Sequence, residues 1–398
     1  MIRALAARRD VAERFAAWGK SGRDASRPLL WMHAPSVGEG LQAGPVLELL
    51  RERRPEVQLA YTYFSPSAES FARGLDVDFA DYLPFDTPGG VRAALDALQP
   101  TALTYAKLDV WPVLTAEAHR RGVRLGIVSA SVAPGSSRRG AMAQALLRPA
   151  YAALDAVGAV GDDDASRLVA LGVRRDVLRV TGDTRYDQVA LRARRVDRAS
   201  PLLAPLQSGR PTLVAGSTWP ADEAVLLAAW EVVRREVTGA RLIIAPHEPT
   251  PAHLAPIDSW AASRGIGIAH LGSAAQGAGE VILVDRVGVL GDLYALATAA
   301  FVGGGFHRAG LHSVLEPAAF GAPVAFGPYF ANSRDAGLLL SAGGGAPVRD
   351  AEELAALLGR WLGGGDDGRA AGGSARALVE AGVGAAERSY TLVNSLLG

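Results

Sequence analysis

The sequence predicts an α/β protein of two domains, each built around a parallel β-sheet. Short apolar runs alternate with amphipathic stretches along most of the chain, a pattern typical of βαβ units. The alternation is interrupted over residues 188–210, which are rich in Arg, Ser and Pro and have no strand pattern. The chain also has 398 residues, more than one ordinary hydrophobic core organises.

Strands are predicted wherever an apolar run is bounded by polar or glycine-rich turns. In the first half, these runs cover residues 29–32, 57–63, 102–105, 125–129 and 156–160. In the second half, they cover residues 212–215, 241–245, 281–284, 300–302 and 323–326. Helical segments separate most of these runs, so each half is expected to form its own parallel sheet.

The domain boundaries follow from this alternation. Residues 1–187 are predicted to form the first domain, residues 188–210 the linker and residues 211–373 the second domain. Within the last of these, the glycine-rich stretch 363–373 is expected to be a flexible connector. Residues 374–398 are expected to form a helix that packs back on the domains.

The composition excludes several functional classes. The chain has 41 basic and 41 acidic residues and a net charge of zero, which argues against nonspecific nucleic-acid binding over the whole surface but not against a local basic patch. No nucleic-acid partner is expected. It has no cysteine, so disulfides, thiolate metal sites and a cysteine nucleophile are excluded. Its seven histidines show no HExxH or paired-carboxylate spacing, so no metal ion is expected, and the absence of a GxSxG motif argues against hydrolase chemistry. No cofactor is expected.

The N-terminal segment, residues 1–23, predicts an amphipathic helix. Its apolar residues Ile2, Leu5, Val11, Phe15 and Trp18 lie among arginines. The segment is not a signal peptide, because no apolar core follows its charges, and no apolar run reaches the ~18 residues that span a membrane. The helix either packs on its own domain or contacts an anionic membrane surface.

Polar residues follow the predicted strands of the first half, where an open parallel sheet binds ligands. Glu39 lies in HAPSVGEG (33–40) at the start of a helix, so it can meet a substrate or cap that helix. Lys107 and Asp109 follow the third strand and can face the same crevice or form a surface ion pair. The segment TGDTRYD (181–187) lines an interdomain cleft or forms a capped turn.

The second half has its densest pattern after the strand at 300–302. Three glycines are followed by a basic loop and a predicted helix start: Gly303, Gly304, Gly305, Arg308, His312, Ser313 and Glu316. Glycines let backbone amides approach a ligand, and both a helix N-terminus and an arginine favour phosphate. The pattern therefore predicts a phosphate-type site, and the alternative is a turn in which the glycines only permit tight packing.

Two further strand ends in this half carry polar residues. Ser217 and Thr218 follow the strand at 212–215; their hydroxyls are N-cap candidates and can equally bind a sugar or a phosphate. His247 follows the strand at 241–245 and suits a phosphate or a base edge, although a single loop histidine is often incidental.

These blocks, in this order, resemble the Kdo transferases, which move 3-deoxy-D-manno-octulosonic acid (Kdo) from its CMP-activated form to a lipid A precursor. The resemblance extends over nearly the whole chain, residues 28–346. Its motifs are HAPSVGEG, YLPFDTP (82–88), KLDVWP (107–112), TGDTRYD, AGSTWP, APHE, FVGGG and LEPAAFGAPVAFGP. The resemblance implies a GT-B architecture, with two Rossmann-like domains whose parallel sheets face a central cleft.

The resemblance also implies an inverting, metal-independent transfer without a cofactor at the cytoplasmic face of the inner membrane. Glu39 matches the family's proposed general base, and Lys107 and Asp109 occupy the block in which many members have two acids. The implied donor-binding residues are Ser36, Gly38, Ser217, Thr218, His247, Gly288, Gly303, Gly304, Gly305, Arg308, His312, Ser313 and Glu316. The implied partners are CMP-Kdo, the lipid A precursor and the inner-membrane surface.

The chain departs from the family pattern in three places. Lys107 stands where many members have Glu, the APHE block lacks an Arg found in many members, and Ser313 replaces an Asn. The family's usual N-terminal membrane anchor is expected to be reduced to the short basic helix. Two alternatives stay open: a catalytically idle nucleotide-sugar-binding protein of the same architecture, and a nucleotide-sugar epimerase.

Overall fold

The computed structural model describes residues 8–273, 279–307 and 310–398. The chain forms two compact units. Unit 1 comprises the chain up to Gln188 together with Gly382–Gly398, and unit 2 comprises Val189–Ala381. Each unit has its own seven-stranded sheet, and every strand pairing in both sheets is parallel.

The sheet of unit 1 has the strand order β3-β2-β1-β4-β5-β6-β7. Its strands are β1 (Leu29–His33), β2 (Gln58–Tyr63), β3 (Phe79–Tyr82), β4 (Ala102–Ala106), β5 (Arg124–Ala130), β6 (Ala156–Ala159) and β7 (Leu178–Val180). The sheet of unit 2 has the order β10-β11-β9-β8-β12-β13-β14. Its strands are β8 (Thr212–Thr218), β9 (Arg241–Pro246), β10 (Ile268–His270), β11 (Val281–Leu283), β12 (Ala299–Val302), β13 (Val324–Phe326) and β14 (Gly345–Pro347).

Helices connect most of the strands. In chain order they are α1 (Val11–Ser21), α2 (Val37–Arg53), α3 (Glu69–Arg73), α4 (Pro88–Leu98), α5 (Pro112–Arg120), α6 (Ala141–Ala152), α7 (Asp162–Leu171), α8 (Arg185–Arg195), α9 (Pro220–Glu236), α10 (Pro251–Arg264), α11 (Leu290–Leu293), α12 (Leu315–Ala319), α13 (Arg334–Ala342), α14 (Ala351–Leu362), α15 (Asp366–Gly382) and α16 (Ala385–Asn394). Short 3₁₀ turns occur at Pro66–Ala68, Ser137–Arg139, Ala204–Leu206 and Tyr294–Leu296. The chain passes from unit 1 to unit 2 within α8 and returns at the end of α15.

The central strands are apolar because a parallel sheet is covered on both faces. Every residue of β1, β2 and β4 is buried, and so is every residue of β9 and β12. All ten strands predicted from the sequence are present, so the predicted α/β class with two parallel sheets is confirmed. The structure adds β3, β7, β10 and β14, which the apolar runs did not reveal and which form the four sheet edges.

The N-terminal helix α1 packs on unit 1. Val11 and Phe15 are buried, and the Phe15 ring meets Phe79 edge-on at 4.8 Å between centroids. Trp18 also lies against Phe79, at 5.1 Å. Over residues 11–21, these contacts agree with the alternative in which the helix packs on its own domain. Ile2 and Leu5 lie outside the described residues. Within the described ranges, no helix has both the length and the apolar character needed to cross a bilayer.

Two segments predicted to be irregular are partly helical. Residues 188–195 of the expected linker belong to α8, and the expected flexible connector at 363–373 already contains the start of α15. The prediction of a flexible connector is wrong because two of its glycines lie in close contact with neighbouring backbone. A Cβ on Gly368 would lie 2.5 Å from the Trp361 carbonyl oxygen, and one on Gly372 would lie 2.1 Å from that of Gly321. The C-terminal region is accordingly two helices, α15 and α16.

Candidate functional site

In unit 1, Glu39 lies in the first turn of α2 after β1, where the backbone of Ser36 is extended at the N-cap. The Glu39 carboxylate accepts hydrogen bonds from the Ser36 hydroxyl and from the Lys107 ammonium, the latter at 3.1 Å. The Ser36 hydroxyl makes no capping bond to the amides of α2. Glu39 is therefore held by two side chains, and its place in the first turn favours its negative charge.

The electrostatics of this cluster keep Glu39 ionised. Burial raises the pKa of the Glu39 carboxyl, but the Ser36 hydroxyl and the Lys107 charge outweigh burial and leave the pKa below its usual value. A carboxylate that is ionised at neutral pH can accept a proton from a hydroxyl group. Gly38 is exposed beside it in the same turn.

Lys107 reaches Glu39 from an unusual backbone conformation. It follows β4 with φ at 63°, in the left-handed region, and its amide donates to the Val128 carbonyl at 2.9 Å. A non-glycine residue in this region costs about 1–3 kcal/mol, and such residues cluster at functional sites. Among the described residues, three other polar residues share this feature: Gln99 after α4, Ser129 at the end of β5 and Ser217 in unit 2.

Asp109 forms a second cluster on the same loop. Its carboxylate accepts from Arg138 at 3.1 Å and from the indole N–H of Trp111 at 3.0 Å. The same indole N–H lies 3.0 Å from Nε2 of the fully buried His33, whose Nδ1 is 3.0 Å from the Thr62 hydroxyl. Burial raises the pKa of Asp109, but His33 and Arg138 outweigh it and lower the pKa.

Lys107 and Asp109 therefore do not pair with each other. Each makes its own contacts, Lys107 with Glu39 and Asp109 with Arg138 and Trp111. Sequence reasoning singled out neither His33, Trp111 nor Arg138, although the first two lie inside the quoted motifs at 33–40 and 107–112.

The segment at 181–187 serves mainly as a cross-link within unit 1. Asp183 is buried, binds Arg185 and accepts from Nε2 of Gln42 at 3.2 Å. The Thr184 hydroxyl donates to the Gln42 carbonyl at 2.6 Å and lies 3.2 Å from the Ser129 hydroxyl. These bonds tie α2, the end of β5 and the start of α8 together, which agrees with the capped-turn alternative.

In unit 2, one buried carboxylate organises the loops after β8 and β12. Asp222, in the first turn of α9, is fully buried and accepts from the Trp219 amide at 3.0 Å. It also accepts from the Gly304 amide at 2.8 Å and from the Phe306 amide at 3.1 Å. Sequence reasoning missed Asp222, which lies three residues after the N-cap Trp219, the capping-box position for an acid.

The three glycines after β12 are required by close backbone packing. If Gly303 carried a Cβ, that atom would lie 2.3 Å from the Ser217 carbonyl oxygen. A Cβ on Gly304 would lie 2.2 Å from the Gly310 carbonyl oxygen, and a Cβ on Gly305 would lie 2.4 Å from the Gly327 amide nitrogen. The amide of Gly303 donates to Gly216 and that of Gly304 to Asp222. The expectation that this loop offers free amides to a phosphate is therefore wrong for Gly303 and Gly304.

Aromatic and histidine rings stack around these loops. The His247 ring stacks on Trp219 with centroids 4.7 Å apart, and His312 stacks on His247 at 4.5 Å. The Trp219 indole N–H donates to His312 Nε2 at 3.2 Å, and His307 meets the Trp219 ring edge-on at 5.3 Å. Three strand ends, those of β8, β9 and β12, thus contribute rings to one cluster, here called the ring cluster (Trp219, His247, His307 and His312).

His312 is neutral in this cluster. Burial is the main cause that lowers its pKa, the neighbouring His247 lowers it further, and the result is about 4. An indole nitrogen can only donate, so the bond from Trp219 also requires an unprotonated Nε2 on His312. Both observations describe an uncharged ring at neutral pH.

The predicted hydroxyl residues after β8 differ in their surroundings. Thr218 is fully buried, and its hydroxyl donates to Glu223 at 2.8 Å. Glu223 also lies 3.0 Å from His253 Nε2; burial raises its pKa above the usual value despite these partners. The Thr218 hydroxyl thus already has a partner, whereas Ser217 precedes it in a left-handed conformation.

The remaining predicted donor residues lie on the loops around α11 and α12. Glu316 is in the first turn of α12, which has only five residues, and burial raises its pKa while Arg192 opposes that rise. Ser313 is exposed just before this helix, and Gly288 lies between β11 and α11 with φ at 88°. Arg308 lies outside the described residues. Across the described ranges, no three His, Asp or Glu side chains gather as metal ligands would.

Comparison with known proteins identifies the family. Residues 9–188 match the family described as 3-deoxy-D-manno-octulosonic-acid transferase (kdotransferase). The 3-deoxy-D-manno-octulosonic acid transferase of Bordetella pertussis is 33% identical over 339 residues, 81% of this chain and 77% of the relative. The protein of the same name from Haemophilus influenzae is 25% identical over 331 residues, 82% of this chain and 76% of the relative.

A solved structure shows the same fold. The UDP-GlcNAc 2-epimerase from Neisseria meningitidis superposes with a TM-score of 0.68 at 13% identity, covering 93% of this chain and 99% of the epimerase. At this identity the likeness concerns the fold alone, and it confirms the predicted GT-B class of two Rossmann-like domains. Together with the curated relatives, it leads to one conclusion: the chain belongs to the Kdo transferase family of glycosyltransferases.

Proposed function

We propose that this enzyme transfers Kdo from CMP-Kdo to a lipid A precursor, with inversion at the anomeric carbon and without a metal ion. It acts as a peripheral protein at the cytoplasmic face of the inner membrane. The observation that carries the proposal is the ionised carboxylate of Glu39, partly buried after β1 and held by Ser36 and Lys107. The donor and acceptor are those of the family to which the chain belongs.

Glu39 acts as the general base. The acceptor hydroxyl oxygen attacks the anomeric carbon of Kdo, the bond from that carbon to the CMP phosphate oxygen breaks, and CMP leaves with the bonding electrons. The hydroxyl proton passes to the Glu39 carboxylate, so charge and atoms balance. Attack from the face opposite to the leaving group inverts the anomeric carbon, and a positioned base contributes typically about 10²–10⁴-fold to the rate.

Lys107 acts through Glu39. Its ammonium stabilises the ionised carboxylate, so the base is available at neutral pH but is weaker than an unpaired carboxylate. Lys107 occupies a position at which many family members have an acid, and its left-handed backbone shows that this turn is kept at a cost in stability. Asp109, fixed by Arg138 and Trp111, supplies a second ionised carboxylate nearby on the same loop.

Unit 2 takes the nucleotide of the donor. The ring cluster presents flat, stacked side chains at the ends of three adjacent strands, where open parallel sheets bind ligands. Glu316 is buried at the start of α12, where its carboxyl oxygens can accept from ribose hydroxyls. Gly288, Ser217 and Ser313 complete the donor side as predictions from their motifs.

The experiment is incubation of the enzyme with CMP-Kdo and a lipid A precursor, followed by mass spectrometry of the lipid. The proposal predicts a gain of one Kdo residue or more, undiminished in EDTA. A folded enzyme that gives no gain overturns transfer to this acceptor. In that case, binding of CMP-Kdo without turnover supports the idle binding protein, and an epimerised sugar nucleotide supports the epimerase. Activity lost in EDTA and restored by magnesium overturns metal independence.

A further inference from the structure

A cavity of about 220 Å³ lies within unit 2, where α8, the C-terminal end of α12 and α15 meet. Three arginines and one glutamate line this basic cavity, and its other lining residues are apolar: Arg194, Arg198, Arg376 and Glu380 are the charged ones. The cavity meets α12 through Phe320 at its C-cap, whereas Glu316 is in the first turn of that helix. The basic cavity therefore shares no residue with the ring cluster or with the predicted donor residues.

Two of the three arginines have no acidic partner. Within the described part of the chain, the side chains of Arg194 and Arg198 form neither an ion pair nor a hydrogen bond. Acids are nevertheless within reach of the same helix, because Arg192 of α8 pairs with Asp292 at 3.0 Å. A helix C-terminus favours basic residues, which accounts for arginines at the end of α8. It does not account for the third arginine, which α15 brings to the same cavity.

That third arginine, Arg376, is held by the backbone that follows α12. Its Nη2 donates to the Phe320 carbonyl at 2.8 Å, and a Cβ on Gly321 would lie 2.8 Å from the same nitrogen. A guanidinium group has five N–H donors, so this single bond leaves others for a ligand. Because the side chain is already positioned, a ligand pays less entropy to use it.

The charge of the basic cavity is positive. Three guanidinium groups and one carboxylate leave a net charge of +2, whereas the whole chain has a net charge of zero. Like charges gathered in one cavity repel each other, and a bound anion removes that repulsion. Among anions, phosphate suits arginine best, because the planar fork of the guanidinium matches two phosphate oxygens.

We propose that the basic cavity binds a small phosphate monoester, such as a sugar phosphate. Arg194, Arg198 and Arg376 contact the phosphate oxygens, and the Glu380 carboxylate accepts a hydrogen bond from a hydroxyl group of the ligand. Phe320 and the other apolar lining residues pack against its carbon skeleton. Pockets for drug-sized ligands measure about 300–1,000 Å³, so this smaller cavity selects a small molecule. The inference goes beyond Kdo transfer and does not depend on it.

The test measures binding of glucose 6-phosphate to the full chain by isothermal titration calorimetry, with CMP in excess so that the donor site is filled. The original chain should bind the sugar phosphate, inorganic phosphate should compete, and glucose should not bind. R194Q/R198Q removes two charges that pair with no described side chain, and it should weaken binding at least about tenfold.

The matched control is R235Q/R360Q. It removes the same number of charges from exposed positions of unit 2, on α9 and α14, neither of which lines the basic cavity. This variant should bind glucose 6-phosphate like the original chain. Both double variants should keep the original CMP affinity, because the donor site shares no residue with the basic cavity.

Four outcomes overturn the inference. The first is that neither glucose 6-phosphate nor inorganic phosphate binds the original chain, even if vesicles containing phosphatidylglycerol do, because the arginines would then serve a lipid headgroup. The second is unchanged binding by R194Q/R198Q in a sample whose thermal unfolding matches the original. The third is binding that excess CMP abolishes, since the probe would then occupy the donor site. The fourth is a loss of CMP affinity in R194Q/R198Q alone. No readout requires turnover, so failure of Kdo transfer and failure of this inference are distinguishable.

Discussion

Each unit contains a tryptophan that donates its indole hydrogen to a histidine beside its candidate site, but the two pairs differ in electrostatics. In unit 1, Trp111 and His33 adjoin the ionised Asp109 and its arginine partner. In unit 2, Trp219 and His312 adjoin stacked rings, and the histidine is uncharged at neutral pH. Unit 1 thus places ionised carboxylates beside its candidate site, whereas unit 2 places an uncharged histidine ring beside its own.

The acidic side chains of the two units also differ in their pKa values. Glu39 and Asp109 in unit 1 have lowered pKa values because cations and donors outweigh burial. Glu223 and Glu316 in unit 2 have raised pKa values because burial outweighs their partners. We propose that this difference reflects a division of labour, with the base in unit 1 and the nucleotide of the anionic donor in unit 2.

The largest effect is expected from Glu39→Gln. Loss of the base should lower the rate of Kdo transfer by about 10²–10⁴-fold while CMP affinity and thermal unfolding stay the same. The matched control is Glu48→Gln, which neutralises an exposed acid on the same helix α2. If the Glu39→Gln variant transfers Kdo at a rate close to the original, Glu39 only caps helix α2. The proposal that unit 1 supplies the base would then be wrong.

Asp222→Ala should destabilise unit 2. The substitution leaves the amides of Trp219, Gly304 and Phe306 without their common acceptor, and each buried donor left unsatisfied costs about 1–3 kcal/mol. Urea unfolding should show a loss of about 3 kcal/mol or more in the free energy of unfolding. Asp285→Ala, which affects only a surface pair with its neighbour Arg286, is the control and should change little.

Lys107→Ala should shift the pH dependence of transfer. The Lys107 charge lowers the pKa of Glu39, so its removal raises that pKa and moves the acid limb of kcat/KM to higher pH. Well above the limb, the rate should be equal or higher, because the unpaired carboxylate is the stronger base. Lys20→Ala, at the other lysine of the chain, should leave the profile in place. An acid limb that does not move would show that Lys107 does not tune Glu39.

The smallest effect is a pH dependence of stability from His312. The folded ring has a pKa of about 4, below the ordinary 6.5, so between these values the unfolded chain binds the proton and the folded chain does not. Stability should therefore fall as the pH decreases through this window. His312→Gln should flatten that fall, and His119→Gln, at an exposed histidine of α5, should not. A fall of equal size in both variants would contradict an uncharged His312.

The sequence predicted the centre of each sheet better than its edges. The ten predicted strands include all the interior strands, whose apolar runs are continuous because both faces are covered. The four missed strands, β3, β7, β10 and β14, are the edge strands and have three or four residues each. In β7, for example, the exposed Arg179 interrupts the apolar run, so no sequence pattern separates such a strand from a loop.

In the candidate site, too, some features were predictable from the sequence and others were not. Glu39 was predictable because a glycine turn between a strand and a helix places one acid at the ligand-binding edge. Its contact with Lys107 was not, because the two are joined only by the adjacency of β1 and β4 and by a left-handed turn. The role of Asp222 was also hidden, since its partners Gly304 and Phe306 are 82 and 84 residues away.

The central claim is that the donor nucleotide occupies unit 2 while the base lies in unit 1, and the indole hydrogens of the chain test it directly. In a ¹H–¹⁵N spectrum of the full protein, Trp219→Phe and Trp111→Phe assign the two indole signals. Addition of CMP should shift the Trp219 signal, because its ring belongs to the ring cluster, and should leave the Trp111 signal in place. A shift of Trp111 with no change at Trp219 would contradict the account.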